Sequence, residues 1–342
     1  MVSEMLAQRN LPPLKSREEM LKILLQEEYG NMPPLPESIE FDTEEGVIPN
    51  FCAGKAYCCR VTVKCVVMGK EFSFPFLATF PADDEKHPFF IHMNFRPDNP
   101  DRYMPTEELI DNGFAVLSAY YEDVTSDDGD FTNGLAGILF PDGKRGAQDS
   151  GKIAMWAWAN QRIMDYAQLM EDKLDLSRSC VCGHSRLGKT ALLTATTDER
   201  FKFVYSNDAG CSGDALARGT DGEQIKDICK NFPFWFCENY KKYAGNEDDM
   251  PFDQHYLLAS IAPRFAMVGS ASEDWWADPK SQYLSCVAAG EAFENGFKHE
   301  NRLPQIGDCF IQGDLAFHMR KGLHYYSRED WLRSIEFINS KS

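Results

Sequence analysis

Apolar and polar residues alternate most sharply over residues 56–68 and 71–80, where β-branched and aromatic side chains recur at every second position on either side of Gly69-Lys70. This pattern predicts an antiparallel hairpin, and Pro75 marks a free edge or a bulge in its second strand. Shorter, continuously apolar runs at 89–94, 114–121, 180–182, 201–206 and 265–270 predict strands buried on both faces. Helical periodicity appears at 16–29, 152–169, 187–197, 254–261, 280–293 and 329–338. The first of these opens with Ser16 and Glu19 at capping-box spacing, and Gly30, Asn31 and the prolines at 33, 34 and 36 end it. In the helix at 152–169, Trp156, Trp158, Ile163 and Tyr166 read as core. Strands that alternate with helices at this spacing predict an α/β fold with a mainly parallel central sheet and helices on both faces. The expected organisation is an N-terminal helical strap over residues 1–45 and a single domain over 46–342, interrupted by a polar and aromatic excursion at 212–252.

At 179–190 (S-C-V-C-G-H-S-R-L-G-K-T) an apolar strand breaks at Gly183 and runs through Ser185 into a helix. A chain that reverses so tightly needs small neighbours, and Gly183 and Gly188 supply them. Such a turn lifts a serine hydroxyl above the carboxyl edge of the sheet, beside helix amides that can face a developing oxyanion. The spacing is G-x-S-x-x-G rather than the commoner G-x-S-x-G. Two loops can border this point: 95–100, which follows the strand at 89–94, and the Gly- and Asp-rich stretch 122–146, which is long for a mere connection.

Charge narrows the range of partners. With 35 Lys and Arg against 53 Asp and Glu, the formal net charge is −18, which disfavours nucleic acid and anionic membrane. No run reaches transmembrane length, and the N-terminal stretch lacks the basic start and unbroken apolar core of a secretory signal. The eleven cysteines are odd in number and scattered, show no paired C-x-x-C spacing for zinc, and several fall in apolar strand-like runs, so a reducing cytoplasm is the expected location, with a secreted protein trimmed of its signal peptide as the alternative. In so acidic a chain, Arg186 and Lys189, three apart on one helical face, form a local positive pair beside the serine.

A serine nucleophile requires a base, and the base requires a carboxylate. In the order serine, acid, histidine, the base lies near the C-terminus, where His299, His318 and His324 are the candidates. His318 falls inside the apolar run 315–319, whereas His324 follows Arg320-Lys321-Gly322-Leu323 in a loop able to fold over the sheet edge, and is the expected base. His184 is expected to pack against or orient the elbow. Two acids end successive strands, Asp208 and Asp274, and either can serve.

In this order, G-H-S-R-L-G-K at 183–189, S-N-D-A-G-C-S-G at 206–213, Gly222-Glu223, F-P-F-W-F-C at 232–237, D-Q-H at 253–255, I-A-P-R at 261–264, E-D-W-W-A-D-P at 273–279 and the closing G-L-H resemble the glucuronoyl esterases, especially their bacterial branch. The resemblance implies an α/β-hydrolase fold and metal-free serine chemistry, without cofactor, on esters of glucuronate or 4-O-methylglucuronate. It further implies Ser185 as nucleophile, His324 as base, Arg186 at the oxyanion, and Lys189, Glu223 and Trp276 at sugar-binding positions. Asp208 stands where the family often has glutamate, and some bacterial relatives carry an acid at the position of Asp274, so Asp274 ranks ahead with Asp208 as partner or substitute. Phe234 replaces a histidine frequent in the family. The expected partner is therefore a small or oligosaccharide uronate ester. A carbohydrate acetyl esterase is the alternative on the same chemistry, and an inactive binding protein the alternative on the same fold.

Overall fold

The structure, a computed structural model, describes residues 1–98, 101 and 103–341. Among the described residues, ten strands form one sheet: β1 (Ser38–Glu45), β2 (Ala56–Val67), β3 (Lys70–Pro81), β4 (His87–Asn94), β5 (Ala115–Tyr120), β6 (Leu174–His184), β7 (Phe203–Asn207), β8 (Phe265–Ala271), β9 (Cys309–Phe310) and β10 (Leu315–Arg320). Their order is β1-β2-β3-β5-β4-β6-β7-β8-β10-β9. Strands β5, β4, β6, β7, β8 and β10 run parallel, and antiparallel strands flank them at both ends. This is the mainly parallel sheet that the strand and helix pattern predicts, in the α/β-hydrolase arrangement that the resemblance implies.

The parallel strands are apolar at successive positions because helices cover both faces. Along β4, Phe89, Ile91 and Met93 join the core layer beneath the helices Lys152–Leu169 and Arg186–Thr197, while Phe90 points to the opposite layer beneath Arg328–Asn339. Cys180 and Cys182 share that second layer with Tyr205 and Trp331, whereas Val181 faces the first. Trp156 and Trp158 are wholly buried, as expected of core residues.

The hairpin turns at Met68 and Gly69, one residue earlier than expected, with φ of 51° and 72°. Two positive values in a two-residue loop match the right-handed twist of the strands they join. Pro75 has a place on a partly free edge, because β3 pairs with β5 only at Leu77–Thr79.

The N-terminal stretch differs from the expected strap over 1–45. Of two short helices, Val2–Arg9 lies against the helix Pro279–Ala289, with Arg9 donating to the Ser281 hydroxyl at 3.2 Å and to the Arg218 carbonyl, and Arg17–Leu24 packs on His255–Ala259. Between them, Tyr256 and His255 bond the carbonyls of Pro13 and Pro12 at 2.6 and 2.9 Å. Ser38–Glu45 then leaves the strap and adds an antiparallel strand at the sheet edge. Its polar sequence hides the strand, since most of its side chains are exposed and leave no apolar alternation to read. Among the described residues, no helix is long and apolar enough to cross a membrane.

Candidate active site

From β4 the chain steps outward to β5 and then returns to β6 on the other side, so the strand order reverses between β4 and β6. Beyond the carboxyl ends of these two strands a crevice opens, where open α/β sheets place ligands. Ser185 follows β6 with φ 56° and ψ −129°, a conformation disfavoured for a residue with a side chain, and stands at the N-cap position of the helix Arg186–Thr197 without its side chain bonding a helix amide. The turn is secured by Ser185 N–H donating to the Asn207 carbonyl at 2.9 Å, and Gly188 N–H donating back to the Ser185 carbonyl at 2.9 Å. At Gly183 a Cβ would come within 2.1 Å of the Leu187 carbonyl oxygen, so the helix can cross the strand end only over glycine.

His324 lies in the loop after β10, and its Nδ1 meets Oδ2 of Asp274 at 2.6 Å, from the loop after β8. Asp274 is nearly buried, at 4% exposure, while His324 is 44% exposed, so the carboxylate is shielded and the ring still faces the crevice. The Asp208 carboxylate, after β7, lies close by: one oxygen is within 4.8 Å of both a His324 ring nitrogen and an Asp274 oxygen. Its direct bonds go elsewhere, to the Ala271 amide at 2.9 Å and to Arg320 at 3.4 Å. Burial, then repulsion from Asp274 and Asp330, raises its pKa well above the ordinary carboxylate range, and Arg320 only partly opposes the shift. Among the described residues, these three also bring donor atoms close enough to share a cation, although Asp274 already engages Nδ1 of His324.

Arg320 and Asp330 are among the residues that sequence reasoning missed. The Arg320 guanidinium bonds Asp330 at 2.7 Å and the Leu323 carbonyl at 3.1 Å, and also reaches the Tyr325 carbonyl. It therefore grips the chain on both sides of His324. Asp330 accepts from the Ser327 amide and hydroxyl at 2.8 and 2.6 Å, in a capping box that starts the last helix. That spacing, Ser327-x-x-Asp330, was the legible signal; the partnership with Arg320 was not.

The sugar-side candidates converge on one cavity of about 170 Å³, lined by Ser185, Arg186, Lys189, Glu223, Trp276 and His324 among others. This is smaller than the ~300–1,000 Å³ that encloses a drug-sized ligand, so it suits one small ring, with any attached chain outside. Lys189 is buried and donates to the Ala209 carbonyl. Burial raises the Glu223 pKa above the usual carboxylate range, opposed first by the charge of Lys189 and then by hydrogen bonding from Trp276. Trp276 is 57% exposed at the cavity mouth rather than packed in the core. Arg186 lies over the Trp235 ring at 4.5 Å and pairs with Asp127.

The other histidines are held in structural contacts. His318 is buried, with Nε2 2.8 Å from the Tyr205 hydroxyl, and burial takes its pKa down to about 4. His299 is exposed and stacks on Phe297 at 5.2 Å. His184 bonds the Asn207 side chain at 2.8 Å and lies 4.4 Å from the His324 ring, and burial followed by the charge of His324 holds its pKa well down. A neutral His184 puts no second cation beside the His324 ring. Within the loop expected at 95–100, the Phe95 ring packs 5.5 Å from the Arg186 guanidinium, while Asn99 and Pro100 lie outside the described residues.

Residues 63–295 match the model of the family described as glucuronyl esterase, fungi. Over 238 residues the chain is 34% identical to a carbohydrate esterase from an unknown prokaryotic organism, a match covering 68% of this chain and 55% of that protein. It is 27% identical over 304 residues to a 4-O-methyl-glucuronoyl methylesterase of Schizophyllum commune, covering 85% and 71%. The solved glucuronoyl esterase of Solibacter usitatus superposes with a TM-score of 0.85 at 28% identity, covering 96% of this chain and 92% of that one. The chain thus spans little more than half the length of the first of these relatives and most of the other two.

Proposed function

We propose that this chain, which belongs to the glucuronoyl esterase family, hydrolyses esters of glucuronic or 4-O-methylglucuronic acid through an acyl-enzyme on Ser185. The observation that carries the reading is the pair His324–Asp274 at 2.6 Å, on a cavity that His324 shares with Ser185, Lys189 and Glu223. In the first step Ser185 Oγ attacks the ester carbonyl and His324 takes its proton through Nε2. Asp274 holds the Nδ1 proton and stabilises the imidazolium. Charge that develops on the carbonyl oxygen meets the Arg186 guanidinium. His324 then protonates the departing alcohol, and water, activated by the same imidazole, releases the uronic acid.

Lys189 donates to sugar oxygens, Glu223 accepts from hydroxyls, and the exposed Trp276 covers an apolar ring face. The substrate carboxyl is uncharged while esterified, so a chain of charge −18 does not repel it, whereas the product is an anion that the same field helps expel. All eleven cysteines are free thiols, which supports a reducing, cytoplasmic setting and an already shortened uronate ester as substrate.

The test compares purified protein on methyl or benzyl glucuronate with its activity on acetylated xylan and 4-nitrophenyl acetate. Preferential turnover of the uronate esters, abolished in Ser185→Ala, is expected. A strong preference for acetyl groups would move the assignment to an acetyl esterase. Absence of all turnover, with Ser185 unlabelled by a fluorophosphonate, would leave a binding protein on this fold.

A further inference from the structure

The loop 122–146 brings one carboxylate to the reacting centre. Asp127, 5% exposed, pairs with Arg186 Nη1 through Oδ2, which also accepts the Tyr121 hydroxyl at 3.0 Å, and its Oδ1 accepts Trp235 Nε1 at 2.8 Å. Three donors from three separate stretches of chain thus converge on one buried carboxylate, which offers about four lone-pair sites. Around the guanidinium, Trp235 and Phe232 form a parallel stack 3.9 Å apart, with centroids 4.5 and 5.2 Å from the Arg186 carbon, and the Phe95 ring lies at 5.5 Å.

The loop that carries Asp127 is itself held from below. Lys152, wholly buried, donates to the Thr125 hydroxyl at 2.8 Å, the Asp130 carbonyl at 2.6 Å and the Ser126 hydroxyl at 3.4 Å. These contacts fall on both sides of Asp127, so the carboxylate is built on a fixed base.

We infer that Asp127 is a positioning residue for acyl transfer: it holds the Arg186 guanidinium in the orientation that meets the oxyanion formed at Ser185. The inference rests on the reading of Arg186 as the group that stabilises that charge. An arginine side chain has several rotatable bonds, and a donor contributes fully to catalysis only when its orientation is settled before charge appears. The carboxylate also lowers the net positive charge beside the oxyanion, an effect of opposite sign. Here orientation outweighs it, because two further donors and the aromatic stack keep the pair in one geometry.

The experiment measures kcat and KM for Asp127→Asn, Arg186→Ala and the double variant, with 4-nitrophenyl acetate and methyl glucuronate, alongside thermal unfolding. Asparagine keeps the shape but turns an N–H₂ toward one of three donors. The expected result is a fall in kcat of about ten- to a hundredfold on every ester the wild type cleaves, with KM within about threefold. In the Arg186→Ala background the same substitution should cost less than about twofold. Unchanged or faster turnover by Asp127→Asn, or an equal loss with and without Arg186, would overturn the inference. Trp235→Phe, which removes one donor to Asp127 and keeps the stack, gives a second reading if Asp127→Asn unfolds: a several-fold loss of kcat that vanishes without Arg186. If the uronate reading alone fails, wild type cleaves the nitrophenyl ester but not methyl glucuronate, and the Asp127 comparison is still read on the former.

Discussion

Replacing Asp274 by alanine removes the acceptor at 2.6 Å from His324 Nδ1 and leaves the imidazolium of the transition state without its shielded counter-charge. A hydrogen bond to a charged group contributes about 1.5–3 kcal/mol, which corresponds to a loss of roughly ten- to a hundredfold in kcat. The loss should stop near that level because of Asp208, which has an oxygen within 4.8 Å of both the ring and Asp274. At that separation and an effective dielectric constant near 20, the repulsion between the two carboxylates is about 3.5 kcal/mol. It is the largest charge contribution raising the Asp208 pKa, second only to burial. Without Asp274, Asp208 ionises more readily and faces the imidazole as a substitute anion. Asp208→Asn alone should therefore cost less than about fivefold in kcat, while the double variant should fall a further ten- to a hundredfold below Asp274→Ala. The assay is kcat and kcat/KM on the best ester from pH 5 to 9, with thermal midpoints to confirm folding. The reasoning is refuted if Asp208→Asn costs more than Asp274→Ala, or if the double variant is no slower than Asp274→Ala.

Lys189→Met and Glu223→Gln should raise KM for uronate esters about tenfold while changing kcat/KM for 4-nitrophenyl acetate less than threefold; equal losses on both substrates would remove these residues from sugar recognition. Arg320→Met leaves Asp330 and Asp208 in the interior without their cation, and should destabilise the fold by about 3–5 kcal/mol in urea titrations. It also frees the Leu323 and Tyr325 carbonyls, so residual kcat measured at low temperature should fall, and a full-strength enzyme would contradict the proposed grip on the His324 loop. Burial holds His318 at about 4 in the folded state, against an ordinary 6.5 when unfolded. Between these values the unfolded chain binds more protons, so this residue's contribution to stability is complete above pH 6.5 and is lost as pH falls toward 4. The wild type should accordingly lose about 1–2 kcal/mol more than His318→Gln between pH 6.5 and 4.5, and identical slopes would refute the link.

Much of the scaffold is legible along the chain because it depends on near neighbours. Continuous apolar runs mark strands covered on both faces, and the helix at Lys152–Leu169 begins and ends where periodicity predicts. The strap was less legible: Ser38–Glu45 is too polar to announce a strand, and only pairing with β2 makes it one. The elbow was readable since Gly183 and Gly188 flank the serine within six residues.

Residue types and their order along the chain determined where the serine turns, which acids end strands and which histidine has a loop to itself. Tertiary structure decided the pairings. Asp274 and His324 lie 50 residues apart and meet because parallel strands deliver both loops to the same sheet edge. Asp208 ends a strand just as suitably, yet the Ala271 amide and Arg320 hold its oxygens. Trp276 stands open at the cavity mouth, and Asp127 reaches Arg186 from 59 residues away. Local periodicity records which face of an element is apolar, but it carries no record of which loop ends the sheet brings together.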